Sequence, residues 1–256
     1  MSADGSLGSG IAEWIREYAD SSGISTLVVG VSGGVDSAVT STLCAMTGIR
    51  TLALNLPINQ DSDQFDLARA HISWLESGWD NVEGGLIDIS STFEKFANDT
   101  MSGFSVTDLA LANAKARLRM TTLYTVSASN NGIVVGTGNK VEDFGVGFYT
   151  KYGDGGVDIS PIADLMKSEV YELAREFGIL DEILNSPPTD GLWEDGRTDE
   201  NQIGATYEEL EWAMENYPDK GNEGWTQRQS EVMEIFTKLN AQNSHKMKPI
   251  PIYKNS

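Results

Sequence analysis

One stretch constrains this chain more than any other: Leu27-Val28-Val29-Gly30-Val31-Ser32-Gly33-Gly34-Val35-Asp36-Ser37. Its first half is a short apolar, β-branched run of the kind that forms a buried strand. It breaks into Ser-Gly-Gly and resumes at Ser37 with Ala38, Val39, Leu43 and Met46, a spacing that suits a helix. Strand, tight glycine loop and helix N-terminus, in that order, gather backbone N–H groups at the positive end of a helix dipole, where phosphate binds well. Gly33 and Gly34 lack a Cβ and so let the chain turn and a phosphate come close. No Gly-Lys-Ser/Thr follows, the loop has no lysine, and the third glycine of the dinucleotide fingerprint is missing. An acid, Asp36, stands where an anion would bind, which makes sense if Mg²⁺ bridges it to phosphate oxygens.

The rest of the chain alternates between strand and helix patterns. Ile11, Trp14, Ile15 and Tyr18 recur at helical spacing ahead of the first strand. Residues 51–56 predict a second strand, and Ser62 is expected to cap a helix ending at Gly78. A third strand is expected at 86–89, a brief helix at 92–96 and a polar loop at 98–105. A long helix is predicted from 108 to 129, stopped by Asn131-Gly132 before a fourth strand at 133–136. This alternation predicts an α/β fold: a Rossmann-like, doubly wound parallel sheet with helices on both faces and ligands at the strands' carboxyl ends. Residues 185–201, with Pro187-Pro188, read as a long loop that would serve as a lid. Residues 206–216 and 226–242 read as helices, giving a helical C-terminal part. The 256 residues, 40% of them hydrophobic, suffice for one large core, and no repeat or low-complexity linker divides them. A single domain over 1–256 is expected.

Several function classes fall away on composition. No apolar run reaches the roughly eighteen residues a membrane helix needs, and the polar, acidic start is unlike a signal peptide. The lone Cys44 allows no internal disulfide framework and suits a reducing cytoplasm; its place in the helix after the loop marks it as a core residue. Two histidines, His71 and His245, are too few and too far apart for a zinc site. A net charge of −20 argues against nucleic acid as a partner. The charge is uneven, however. Residues 113–167 carry +1 while the remainder carries −21, which suits a polyanion site in an otherwise repelling protein.

Two more stretches stand out. Asn113-Ala114-Lys115-Ala116-Arg117-Leu118-Arg119-Met120 lies in the long helix, where Lys115 and Arg119 can share a face. Gly136-Thr137-Gly138-Asn139-Lys140-Val141-Glu142 begins at the carboxyl end of the fourth strand. It is followed by Gly147-Phe148-Tyr149-Thr150-Lys151-Tyr152-Gly153-Asp154-Gly155-Gly156-Val157-Asp158. Glycines, acids and lysines interleave there without periodicity, which is poor core material and suits an ordered binding loop. Glu142 is a candidate second carboxylate for a metal held by Asp36.

The loop at 32–37 resembles the pyrophosphate-binding loop of the N-type ATP pyrophosphatases. Together with the 113–120 helix and the Thr150–Gly156 run, it makes the chain, over about 27–248, similar to the ammonia-dependent NAD⁺ synthetases. That resemblance implies ATP-driven amidation of deamido-NAD⁺ by ammonia through an adenylated nicotinate carboxylate, with release of AMP and pyrophosphate. It implies that Gly30, Val31, Ser32, Gly33, Gly34, Val35, Asp36 and Ser37 hold ATP phosphates and that Thr137, Lys167 and Thr189 also contact ATP, Lys167 as a cation on the phosphates. Arg117, Lys151, Asp158, His245 and Lys246 fall on positions that contact deamido-NAD⁺, the last two in a polar, basic tail. Mg²⁺ is expected on Asp36 and Glu142, with Asp143 as the alternative to Glu142. Asp154 is a candidate for deprotonating ammonium, and the family forms homodimers. Two other readings compete. Another ATP pyrophosphatase, such as an amidotransferase synthetase or a tRNA-modifying ligase, is disfavoured by the 150–158 stretch. A non-catalytic adenine-nucleotide module would need neither Glu142 nor Lys167.

Overall fold

The apolar run ahead of the loop becomes the strand on which the others assemble. The computed structural model describes residues 5–60, 62–189, 191–193, 197–218 and 224–255. In it β1 (Thr26–Gly30) lies between β2 (Arg50–Asn55) and β4 (Gly132–Val135), with β3 (Val82–Leu86) outside β2. The order is β3-β2-β1-β4 and every pairing is parallel, with Leu27 opposite both Thr51 and Ile133. Side chains alternate across the pleat. Leu27 and Val29 enter one apolar cluster and Val28 another, so β1 is buried on both faces and reads as a continuous apolar run.

Helices close both faces, as expected. α1 (Leu7–Ser21), α2 (Val35–Met46) and α3 (Ser62–Gly78) contribute Ile15, Leu43 and Leu75 to the first cluster. After α4 (Ser90–Lys95), α5 (Asp108–Ser129) packs Leu123 and Val126 on the opposite face. α6 (Lys167–Phe177) and α7 (Asp181–Leu184) return to the first face. The C-terminal part is helical: α8 (Asp199–Ile203), α9 (Tyr207–Asn216) and α10 (Gln227–Met247) enclose a separate cluster with Val141, Val146, Leu210 and Phe236. α6 packs on α2 at one side and α9 at the other, joining the two clusters.

Five local expectations need correction. The third strand runs over Val82–Leu86 rather than 86–89. Gly84 and Gly85 disguise it, yet a Cβ on Gly84 would strike Ile72 of α3, and one on Gly85 would come 2.6 Å from Leu54. Close packing, not β propensity, selects the sequence there. Ser62 is the first helical residue of α3 rather than its cap. The loop expected at 98–105 starts inside a π-helical turn, Phe96–Thr100, which keeps Ala97 against the Ile58–Phe93 cluster. α10 continues to Met247, so His245 and Lys246 occupy its last turn and not an extended tail. Within the expected lid, α8 forms at its C-terminal end because Thr198 caps it and Ile203 is buried. Asp190 and residues 194–196 of that lid lie outside the described residues, as do residues 1–4 of the polar start.

Candidate active site

Gly33 shapes the loop between β1 and α2. Its φ of 94° lies in the left-handed region, and a Cβ there would stand 2.6 Å from the Gln64 carbonyl of α3. Only glycine satisfies both conditions. Ser37 closes the turn: its hydroxyl donates to the Gly34 carbonyl at 2.9 Å and accepts from the Ser32 N–H at 3.1 Å. The Gly34 N–H donates to Ser32 Oγ at 3.3 Å. The loop therefore stands preformed at the N-terminus of a twelve-residue helix. It borders a cleft of about 260 Å³, to which every loop residue from Gly30 to Ser37 contributes except the buried Gly33.

Asp36, in the first turn of α2, and Glu142, in a π-helical turn after β4, meet over one cation. Lys167 Nζ donates to Asp36 Oδ2 at 2.6 Å and to Glu142 Oε1 at 3.1 Å. The lysine side chain is 4% exposed, and its two partners are 18% and 17% exposed. Asn139, fully buried, ties the carboxylates together. Its amide donates to Asp36 Oδ1 at 3.3 Å, and its carbonyl accepts the N–H groups of Val141 and Glu142 at 3.0 and 3.1 Å. The Tyr207 hydroxyl donates to Glu142 Oε1 at 2.6 Å, with Asp199 Oδ2 at 3.2 Å.

The protonation states follow from this packing. Burial works against the Lys167 ammonium, but Asp36 and Glu142 outweigh it and hold its pKa above the ordinary lysine value. Burial also raises Asp36, which Lys167 counteracts and the like charge of Glu142 reinforces. For Glu142 burial is outweighed by Lys167 and by the Tyr207 hydroxyl, so its pKa is lowered. Lys167 is moreover the first residue of α6, where a helix dipole disfavours a cation. It stands there against the local preference because the carboxylates require it.

Of the other expected residues, Thr137, Thr189, Lys167 and Asp154 also border the cleft. Thr189 donates to the Arg197 carbonyl at 3.2 Å and accepts from the Gly191 N–H at 3.2 Å, stiffening the loop over the cleft. Lys115 reaches the same loop, donating to the Leu192 carbonyl at 3.0 Å. Asp154 accepts from the Thr150 N–H at 3.0 Å. The protein packed around its carboxyl raises the pKa to about 6, with Glu142 adding to the effect. Asp143 also borders the cleft, with its carboxyl against Gly138, whereas Glu142 is the acid that shares the Lys167 ammonium with Asp36. Burial, then the neighbouring acids, push Asp143 up to about 8.

Arg117, Lys151, His245 and Lys246 gather outside the cleft. Arg117 donates to the Lys151 carbonyl at 3.3 Å, and Lys151 Nζ to the His245 carbonyl at 2.8 Å. Lys246 Nζ caps the Gly147 and Tyr149 carbonyls at 2.6 and 2.7 Å. Asp158 stands apart, accepting from the Tyr124 hydroxyl at 3.0 Å and the Val134 N–H at 2.7 Å. Cys44 is buried, and desolvation pushes its thiol up to about 12, as befits a core residue.

Sequence reasoning did not single out Asn139 as an organiser, nor Tyr207 or Asp199 at all. Asn139 sits inside a stretch whose lack of periodicity already flagged it. Tyr207 carries no local signal, because its partner is 65 residues away.

Comparison with known proteins gives a consistent result. The NAD synthase family model matches residues 8–250. The NH3-dependent NAD⁺ synthetase of Methanosarcina acetivorans is 37% identical over 94% of this chain and 95% of its own length. The structure of an NMN synthetase from Francisella tularensis is 32% identical, with a TM-score of 0.85 and 97% of each chain covered. The NH3-dependent NAD synthetase from Campylobacter jejuni, solved with a nitrate ion, is 25% identical, with a TM-score of 0.77 and 96% and 97% covered.

Proposed function

The chain belongs to the NAD synthase family, and from that premise we propose that its cleft amidates deamido-NAD⁺ with ammonia to give NAD⁺. ATP is the co-substrate and is cleaved to AMP and pyrophosphate. The observation that carries this reading is the Asp36–Lys167–Glu142 constellation beside a phosphate loop that has no lysine of its own. P-loop enzymes place a lysine on the β- and γ-phosphates. Here the cation comes from α6, next to a carboxylate in the loop, which favours departure of a whole pyrophosphate.

In this reading the loop amides and the α2 dipole hold the phosphates, with Thr137 and Thr189 as further ATP contacts. Leu54, Leu56, Met120 and Leu123 give the cleft an apolar wall suited to a base or nicotinate ring. The nicotinate carboxylate attacks the α-phosphorus, and Lys167 and the loop amides stabilise charge on the leaving pyrophosphate. Ammonia then displaces AMP from the acyl-adenylate, and Asp154, ionised above its pKa of about 6, takes a proton from ammonium.

Mg²⁺ fits the donor set. Asp36 and Glu142 are hard oxygen ligands that already converge on one cation. Among the described residues no third His, Cys, Asp or Glu joins them, and Mg²⁺ beside ATP commonly uses one or two carboxylates with phosphates and water. Bound there it would offset phosphate charge.

A homodimer is part of the proposal, with Arg117, Lys151, Asp158, His245 and Lys246 contacting the dinucleotide on the surface beside the cleft. So are a single domain over 1–256, supported by the packing of α6 on both clusters, and a cytoplasmic location, supported by the unpaired Cys44. No helix among the described residues is long and apolar enough to cross a membrane.

The test is incubation of the protein with ATP and deamido-NAD⁺, with and without ammonium. Ammonium-dependent NAD⁺ with stoichiometric AMP and pyrophosphate is expected; ADP as the product would overturn the reading. The likeness to an NMN synthetase favours a second reading, in which nicotinate mononucleotide is the acid amidated. Comparing kcat/KM for the two acids decides between them.

A further inference from the structure

Tyr207 touches the ionised centre at three points, and the chemistry above gives it no part. It is the first residue of α9, 7% exposed, in a helix that Thr206 caps. Its N–H donates to Glu200 Oε1 at 3.0 Å, which pins the backbone. The Lys167 ammonium sits 4.5 Å from the centroid of its ring, within cation–π range. Its hydroxyl has one hydrogen and two acids in reach, Glu142 at 2.6 Å and Asp199 at 3.2 Å. The shorter contact has the length of a charge-assisted O–H···O⁻ bond.

The distribution of donors over Glu142 is uneven. Oε1 accepts from both Tyr207 and Lys167, and neither of these donors reaches Oε2. A glutamate on a helical turn can rotate about three side-chain bonds. The hydroxyl and the ammonium together select one orientation, with Oε1 turned to the protein and Oε2 left over. α9 belongs to the C-terminal cluster and Glu142 to the turn after β4, so this bond also joins two parts of the chain at the reacting centre.

We propose that Tyr207 is a positioning residue for the metal-binding carboxylate, its hydroxyl fixing Glu142 so that one oxygen stays available to the divalent cation. This rests on Asp36 and Glu142 being the metal ligands. Tyr207 itself touches neither metal nor substrate. Its role is that of the outer-shell partner that orients a ligating carboxylate.

The test uses Mn²⁺ as the probe, bound to the whole protein with a non-hydrolysable ATP analogue and followed by electron paramagnetic resonance. Y207F keeps the ring and its packing and removes only the hydroxyl, and a thermal melt establishes that it folds. Its Mn²⁺ affinity should fall about tenfold, the lower end for a group that orients a metal ligand. In turnover the Mg²⁺ concentration for half-maximal rate should rise in parallel, with kcat at saturating Mg²⁺ changed far less. E142Q should bind Mn²⁺ more weakly than wild type, and Y207F/E142Q no more weakly than E142Q alone, because the hydroxyl acts through Glu142. A lower melting temperature with unchanged Mn²⁺ affinity in Y207F would make the tyrosine a packing residue and overturn the inference. Additive losses in the double variant would also overturn it. D36A separates the two levels: if it binds Mn²⁺ as wild type does, the metal assignment fails and this inference with it. If D36A loses Mn²⁺ while Y207F keeps it, this inference fails alone.

Discussion

Lys167 and Asp36 are 131 residues apart in the chain and 2.6 Å apart in space. The pair joins the first turn of α2 to the first turn of α6, so the two helices that pack side by side under the sheet also meet at the cleft. A buried ion pair of this kind does little for net stability, because desolvation offsets most of the attraction. Its presence at the mouth of the 32–37 loop fits the proposed reaction, in which the pair would face the phosphates.

Removing one member therefore has two readable effects. K167M leaves Asp36 and Glu142 close together without their cation, and unfolding in urea should register a loss of about 3 kcal/mol, typical of a broken buried pair. Turnover should fall by about a hundredfold or more, the scale of losing a charge-stabilising donor. Wild-type stability in K167M would mean that the two carboxylates do not depend on the lysine.

Isotope labelling tests the bond that breaks. If the nicotinate carboxylate attacks the α-phosphorus, one of its oxygens ends in AMP when ammonia displaces it. Deamido-NAD⁺ carrying ¹⁸O in that carboxylate should give AMP with one labelled oxygen and unlabelled pyrophosphate. A γ-phosphoryl transfer would put the label in inorganic phosphate and release ADP, and that outcome would rule the mechanism out.

The role proposed for Asp154 predicts an acidic limb on the rate. Its carboxyl, raised to about 6 mainly by burial, is protonated below that pH and cannot accept a proton from ammonium. At saturating ammonium, kcat should fall as the pH drops through about 6. D154N should lose this limb together with about a hundredfold in rate, a usual contribution of a positioned base. A limb that persists in D154N assigns it to another group.

His71 makes stability itself pH-dependent. It is fully buried under α2, and Ser41 Oγ lies 2.9 Å from its Nε2. The Ser41 hydroxyl donates to the Ser37 carbonyl at 2.7 Å, so His71 donates through Nε2 and keeps Nδ1 bare, with no partner. Burial holds its pKa down at about 4. The unfolded chain thus takes up a proton near pH 6.5 that the folded one refuses until about pH 4, and stability is lost as the pH falls through that window. The loss due to this residue is about 2 kcal/mol at pH 5. H71Q, compared with wild type at pH 7 and pH 5, should show a smaller acid loss by about that amount; equal losses would refute the assignment.

Much of this molecule is written locally. The loop at 30–37 announces itself because strand, glycines and helix start lie within a dozen residues, and each obeys a short-range rule. The parallel order follows from alternation. What the chain does not announce depends on contacts across it. β3 hides behind Gly84 and Gly85, which exist to let α3 and Leu54 approach. α6 begins with a lysine, a poor start by dipole rules, because its partners are Asp36 and Glu142. Tyr207 looks like an ordinary aromatic on an amphipathic helix until Glu142 is placed against it. Thr226 and Gln229 mark the start of α10 and Pro249 its end, with Lys248 extended ahead of the proline, but the contacts of Asn243 and Lys246 with carbonyls of the 146–149 segment carry no local signal.

Gly33 has a mechanical consequence. With the Gln64 carbonyl already within contact distance of where its side chain would begin, the loop has no clearance from α3. Gln64 in turn reaches Ser186 Oγ at 3.4 Å, at the root of the segment that overhangs the cleft. Loop, helix and overhang therefore form one contiguous run of contacts, with α3 in the middle. A side chain at position 33 would have to push α3 aside, and with it the Gln64 contact to Ser186.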